Sequence, residues 1–330
     1  MDFRLDDQQL ALQDGVRTFC ASEYPLDGLG ALEVEVDTSG RWADLADLGV
    51  FSLMAPEAAG GLGLGVVEAA LVFEQLGAHL VPGPILWSTL AAMVLPGDGE
   101  HGRVGGIDLV DPRGGTTVEP LVVEHADEID TLLVLRGDGV FAIDRTELPE
   151  ARTLDPLDPL TPVGCFDELP IGSPVGGPPE ADRLRMMGTV LAAALLLGIA
   201  DAALEVARDY SLGREQFDRP IGSFQALKHM MADMYVRSCL ARSATYAAAA
   251  VLDDPLVGHL QRSVAAAKVL AGEAAIENGK AAVQVFGGMG FTWEMPPNYL
   301  LKRAWVLEHA FGASRTHALA ISASVAGEAP

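Results

Sequence analysis

The sequence predicts a mostly α-helical α+β protein: an N-terminal helical domain over residues 1–96, a small β domain over 97–176 and a C-terminal four-helix bundle over 177–330. Two observations predict it. Apolar residues recur at helical spacing toward both ends of the chain, while Gly/Pro/Asp clusters cut the middle into short β-branched runs of strand length.

Asp6 supplies an N-cap carboxylate, and Leu12, Val16 and Phe19 follow at i, i+4 and i+7, so an amphipathic helix opens the chain. More helix is expected over 41–48. The segment APEAAGGLGLG over 55–65 is too rich in glycine for a helix interior and reads as a loop. A glycine loop that cradles a dinucleotide follows a strand, and none is expected before this one. Helical spacing resumes over 66–80. Within the β domain, residues 131–144 read as two strands joined at Gly137-Asp138-Gly139. From Pro179 the expected helices are 181–212, 224–252, 256–285 and 299–326, with breaks at Pro220, Asp253-Asp254-Pro255 and Gly287-Gly288. Their length and alanine content suit close packing.

Composition narrows the function classes. The 330 residues are 49% hydrophobic and 21% charged with only 3 Cys, which allows a large core and excludes disordered, collagenous and disulfide-scaffold proteins. The formal charge of −24 lacks the basic footprint of a nucleic-acid or anionic-membrane binder, so no nucleic-acid partner is expected. Cys20, Cys165 and Cys239 are scattered, and charged residues stand where a signal peptide would be apolar. A cytoplasmic protein is expected. The apolar run 186–200 falls short of the roughly 20 residues a bilayer span needs, so it is expected to be a buried core helix.

Two clusters in the last third carry chemistry. In REQFDRPIGSFQALKHMMADMY, which starts at Arg214, a cation, an amide and an aromatic meet at a helix end. Arg214 could grip a diphosphate while Phe217 offers a flat face to a planar ring; alternatively Arg214 pairs at a domain junction and Phe217 joins the core. In QVFGGMGFTWE, which starts at Gln284, Gly287 and Gly288 end a helix and remove side chains where a ligand could approach, or serve only as a C-cap.

These motifs and WADLADLGVFSLMAPEAAGGLGLG, in this order on a helix–β–helix chain, resemble the acyl-CoA dehydrogenase flavoprotein family. The resemblance implies FAD as cofactor, an acyl-CoA thioester as substrate and an electron-transfer flavoprotein as electron acceptor. It further implies that Arg214 pairs with the FAD pyrophosphate, that Gln216, Phe217, Ile221 and Phe224 line the adenosine end, and that Gln284, Gly287 and Gly288 meet the ADP-ribose. Asp218 departs from the glycine usual after the motif's phenylalanine, and Phe224 stands where several relatives are polar.

The family's reaction needs a carboxylate to take the α-proton of the thioester, because that C–H is too weakly acidic to break unaided. By position the usual glutamate falls on Gly312, and the alternative on the first long C-terminal helix falls on Gly188. Neither is a base. Asp182 and Glu205 are displaced from these positions and read as solvated helix residues; Glu308 precedes Gly312 by one turn and reads as an ion-pair partner of Lys302 or Arg303. Ser314 and Thr316 read as flavin-edge contacts or ordinary helix polar residues. His229 and His309 lack companions at metal spacing, so no metal is expected. The β domain looks shortened and lacks a loop of the T-E-P-x-x-G-S-D type.

This pattern resembles the short non-catalytic subunit of actinobacterial heteromeric α2β2 members. The resemblance implies a longer catalytic homologue as partner in a heterotetramer and a steroid side-chain or branched acyl-CoA as substrate. Two other readings stay open: a homomeric flavoprotein with an unorthodox base such as Glu308, and a flavin-free binding or scaffold homologue.

Overall fold

The computed structural model describes residues 5–29, 39–95, 102–110 and 120–327. In chain order come α1 (Asp7–Glu23), α2 (Ser39–Asp47), α3 (Val66–Ala78) and α4 (Ile85–Ala91). Strands β1 (Val104–Asp108), β2 (Leu121–Glu124), β3 (Thr131–Arg136), β4 (Gly139–Asp144), β5 (Arg152–Leu154), β6 (Val163–Phe166) and β7 (Ser173–Gly176) follow. The remainder is α5 (Pro178–Gly213), the short pair β8 (Glu215–Gln216) and β9 (Arg219–Pro220), α6 (Gln225–Asp253), α7 (Leu260–Phe286), α8 (Pro296–His309) and α9 (Ser314–Gly327). The expected mostly helical architecture with a small β region is present.

Two compact units divide the chain. One comprises Met1–Glu35, Ala70–Val81 and Val190–Pro330; the other comprises Val36–Ala69 and Pro82–Thr189.

The second unit holds two sheets, β1-β3-β4-β7 and β2-β6-β5. The expected hairpin is β3–β4, antiparallel, closing at Arg136 and Gly139, the latter at φ +150°. β1 joins β3 in parallel. Leu121, Val123 and Phe166 of the three-stranded sheet share one apolar core with Leu132, Val134 and Ile143 of the other. Gly106 lies so close to the Trp87 ring that a Cβ there would stand 2.1 Å from it, which fixes α4 against β1. Ser88 reinforces the same contact by accepting from the Val104 amide at 3.0 Å.

The first unit is helical. Asp6 Oδ1 accepts from the Gln8 and Gln9 amides at 2.9 and 2.8 Å, and Gln9 Oε1 accepts from the Asp6 amide at 3.1 Å, which forms a capping box. α3 crosses α5 backbone to backbone. A Cβ on Gly77 would meet the Leu195 carbonyl at 2.1 Å, and one on Gly198 would meet the Glu74 carbonyl at 1.9 Å. The buried Asn278 amide on α7 donates to the carbonyls of Ala200 on α5 and Met234 on α6, both at 3.1 Å, and so ties three helices. Among the described residues, α5 is the one helix long and apolar enough to cross a bilayer, but 78% of its apolar window is buried inside the protein. It is a core helix.

The helix expected over 299–326 is two helices. Phe311 at φ +54° and Gly312 at φ +95° reverse the chain between α8 and α9, a conformation that an uninterrupted helix cannot contain. The spacing of apolar residues carries through this break and hides it.

Candidate functional site

The Arg214 motif folds as a tight hairpin at the end of α5. β8 and β9 pair through Gln216 and Arg219, leaving Phe217 and Asp218 as a two-residue turn at φ +56° and +61°. Two positive φ values in succession make this a turn of the I′ kind, which usually carries Asn-Gly. Asp218 adopts the left-handed conformation that a glycine would adopt without strain. The Ile221 amide donates to the Arg214 carbonyl at 2.8 Å and closes the base of the hairpin. Phe217 is 86% exposed, which rules out the reading that buries it in the core. It meets Phe224 edge-on at 6.1 Å between centroids, and the Arg219 guanidinium lies 4.1 Å from the centre of the Phe224 ring. The Arg214 side chain is exposed and has no ion pair or side-chain hydrogen bond among the described residues, so the domain-junction pairing is also absent. Gln216 is exposed and donates only to its neighbour's carbonyl at 2.7 Å.

The Gln284 motif ends α7. Gly287 caps the helix at φ +63° with its amide donating to the Gln284 carbonyl, and the space where a Cβ of Gly287 or Gly288 would stand is open. Tyr210, four residues before Arg214, stacks on Phe286, one residue before Gly287, with centroids 4.0 Å apart and planes 15° apart. This stack brings the two motifs to one end of the bundle. An exposed guanidinium, exposed aromatic faces and side-chain-free backbone fit the diphosphate and adenosine of FAD. No spacing in the sequence links Tyr210 to Phe286; only the parallel passage of α5 and α7, whose C-terminal ends meet, does.

The loop between α8 and α9 is held from below. Lys268 on α7 is fully buried, and its Nζ donates to the carbonyls of Glu308 at 2.7 Å and Gly312 at 2.8 Å. Burial pulls its pKa down to about 8, partly opposed by the Glu308 carboxylate. Glu308 does not pair with Lys302 or Arg303, contrary to the sequence reading. Its Oε1 accepts from the Ser314 amide at 2.7 Å and so caps α9, while Lys302 lies 3.6 Å over the Trp293 ring and Arg303 donates to the Val81 carbonyl at 3.3 Å. Cation–π attraction and a buried carbonyl compete for these two cations, and neither leaves a periodicity signal. The Ser314 hydroxyl is buried without a hydrogen-bond partner among the described residues.

Gly188 is buried in α5. One turn earlier Arg185 is clamped: Nε donates to both Asp108 oxygens at 3.1 and 3.0 Å, Nη1 to Asp182 at 3.0 Å and Nη2 to the Arg136 carbonyl at 2.9 Å. Burial raises the Asp108 pKa against the pull of Arg185. Asp182 is therefore an ion-pair partner, while Glu205 is exposed. Residues 111–119 of the β domain lie outside the described residues. Among the described residues no group of His, Cys, Asp and Glu could hold a metal ion.

Comparison with known proteins follows the same lines. Residues 184–326 match the family model of the acyl-CoA dehydrogenase C-terminal domain, and residues 6–98 match that of the N-terminal domain. The chain is 32% identical over 278 residues to acyl-CoA dehydrogenase IpdE2 of Mycolicibacterium smegmatis, covering 84% of this chain and 85% of that protein. Its fold superposes on a chain of the ChsE4-ChsE5 complex from Mycobacterium tuberculosis with a TM-score of 0.84 and 26% identity, covering 100% of both chains. A Tcur3481-Tcur3483 steroid ACAD variant superposes with a TM-score of 0.83 at 21% identity, covering 97% of this chain and 98% of that one, which shows the fold alone.

Proposed function

The chain belongs to the acyl-CoA dehydrogenase family, whose cofactor is FAD, and on that premise we propose that it is the cofactor-completing, non-catalytic subunit of a heteromeric acyl-CoA dehydrogenase. A longer catalytic homologue is its partner in an α2β2 tetramer and supplies the flavin-ring pocket and the glutamate. The substrate class is the CoA thioester of a steroid side chain or a branched acyl group, and an electron-transfer flavoprotein accepts the electrons.

One observation carries this reading. Arg214 and Phe217 stand exposed at the end of the bundle that also carries the open backbone of Gly287 and Gly288, while the two positions for the base carry Gly188 and Gly312. Glu308, the nearest carboxylate to Gly312, is engaged in capping α9, which counts against the homomeric reading. The ChsE4-ChsE5 complex of two named chains among the similar structures supports the heteromeric partner.

FAD supplies the hydride acceptor when bound. This chain's residues bind and orient it: Arg214 would neutralise the pyrophosphate. Phe217, with Gln216, Ile221 and Phe224, would hold the adenosine end, and Gln284 with Gly287 and Gly288 would let the ADP-ribose lie against the helix end.

The test is co-expression with a longer homologue that carries the glutamate. The expected result is a yellow complex that bleaches with acyl-CoA under anaerobic conditions, against a colourless isolated chain. Arg214→Ala should weaken flavin retention by about 2 kcal/mol, roughly thirtyfold, with the complex still assembled. Undiminished flavin content in that variant would defeat the assignment.

A further inference from the structure

A separate cavity of ≈ 760 Å³ opens in the first unit, where α1, α3, α5 and α6 meet, and it contains none of the flavin-motif residues. Its volume falls within the range of small-molecule sites. Ala78, Gly198, Ala202 and Ala247 give the lining a set of small apolar surfaces. The close crossing of α3 and α5 sets the Gly198 backbone directly against the Glu74 carbonyl.

The polar part of the lining is unbalanced in charge. Glu74, only 4% exposed, and Asp201 both reach the same Nη2 nitrogen of Arg242, Glu74 at 3.1 Å and Asp201 more closely. The Tyr246 hydroxyl donates to the second Glu74 oxygen at 2.5 Å. The cavity lining as a whole carries three carboxylates, with Glu205, against two guanidiniums. Arg17 does not relieve the buried pair, since its Nη1 faces Asp14 at 3.1 Å and its Nε donates to Gln75 at 3.3 Å. His79 adds no cation at neutral pH: burial lowers its pKa, and its Nδ1 faces the Tyr24 carbonyl at 3.2 Å. Burial raises the pKa of both Glu74 and Asp201 against the pull of Arg242. A second positive charge here would satisfy both acids.

We propose that this cavity is a binding site for a small organic cation, an ammonium head on an apolar body, with the head against Glu74 and Asp201 and the body along Ala78, Gly198, Ala202 and Ala247. An anion would meet a lining of net negative charge. A neutral alcohol would gain the apolar surfaces alone.

Calorimetric titration of the full chain with hexylammonium, 1-hexanol and hexanoate tests this. Hexylammonium should saturate one site about tenfold or more tightly than 1-hexanol, and hexanoate should give no saturable heat. Glu74→Gln should remove the preference for the amine and keep the alcohol. Ala247→Leu, which fills the cavity without changing its charge, should abolish binding of both. If Glu74→Gln fails to fold, the three probes and Ala247→Leu still decide. No saturable heat with hexylammonium, hexanoate binding as tightly, or an unchanged titration in Ala247→Leu would each overturn the proposal. None of these readings depends on flavin or on a partner chain.

Discussion

Lys268 donates to the Gly312 carbonyl at 2.8 Å from the floor of the bundle, so a buried ammonium holds the turn between α8 and α9. A second bond from the same nitrogen, to the Glu308 carbonyl, fixes the C-terminal end of α8. Replacing Lys268 with Met leaves two carbonyls without their donor. The expected cost at pH 7 is about 2 kcal/mol, net of the burial penalty that the charge carried, read as a shift in the urea midpoint.

The same lysine gives stability a pH dependence of definite sign. The native chain releases the Lys268 proton near pH 8, whereas the unfolded chain holds it to about 10.5. Between these values the unfolded state binds more protons, so the contribution of this group to stability rises with pH. The stability difference between wild type and Lys268→Met should therefore widen from pH 8 to pH 10.5, by up to roughly 3 kcal/mol. Urea titrations of both proteins at the two ends of that window measure it; a constant difference would refute it.

Gly198→Ala should be the most disruptive single methyl in the first unit. Its Cβ would stand 1.9 Å from the Glu74 carbonyl, a backbone atom that cannot rotate away. The helices must separate, at about 3 kcal/mol or more, and the thermal midpoint falls accordingly. Gly213→Ala, where nothing lies within 4 Å, is the control and should shift it little.

Asp218→Gly should stabilise the hairpin by about 1 kcal/mol, because glycine adopts φ +61° without the crowding an L side chain suffers. Differential scanning calorimetry of the isolated chain would show a raised midpoint. A lowered midpoint would mean that the Asp218 carboxylate contributes more than its backbone conformation costs.

Much of this molecule is legible in its sequence, for identifiable reasons. The capping box at Asp6 and Gln9 and the β3–β4 hairpin are local devices, and local chemistry fixes both. The break between α8 and α9 is not legible, because Phe311 adopts a conformation its residue type disfavours, in a turn that Lys268, far away in sequence, helps to hold. The functional motifs divide in the same way. Arg214, Phe217 and the glycines are readable by type, but their meeting depends on the stack of Tyr210 on Phe286. The pairing of Glu308 with the Ser314 amide instead of Lys302 or Arg303 is likewise decided by a turn the pattern of apolar residues conceals.

The helical unit is assembled from three separated stretches of chain, with α3 seated against the part of α5 that follows Val190. Synthesis runs from the N-terminus, so when α3 leaves the ribosome the surface it will cover has not yet been made. Leu71, Phe73 and Leu76, all fully buried at the end, stay without their final neighbours until more than half of the chain has been translated. The order of manufacture thus exposes a greasy helix early in the life of every molecule, which makes the nascent chain a natural client for chaperones.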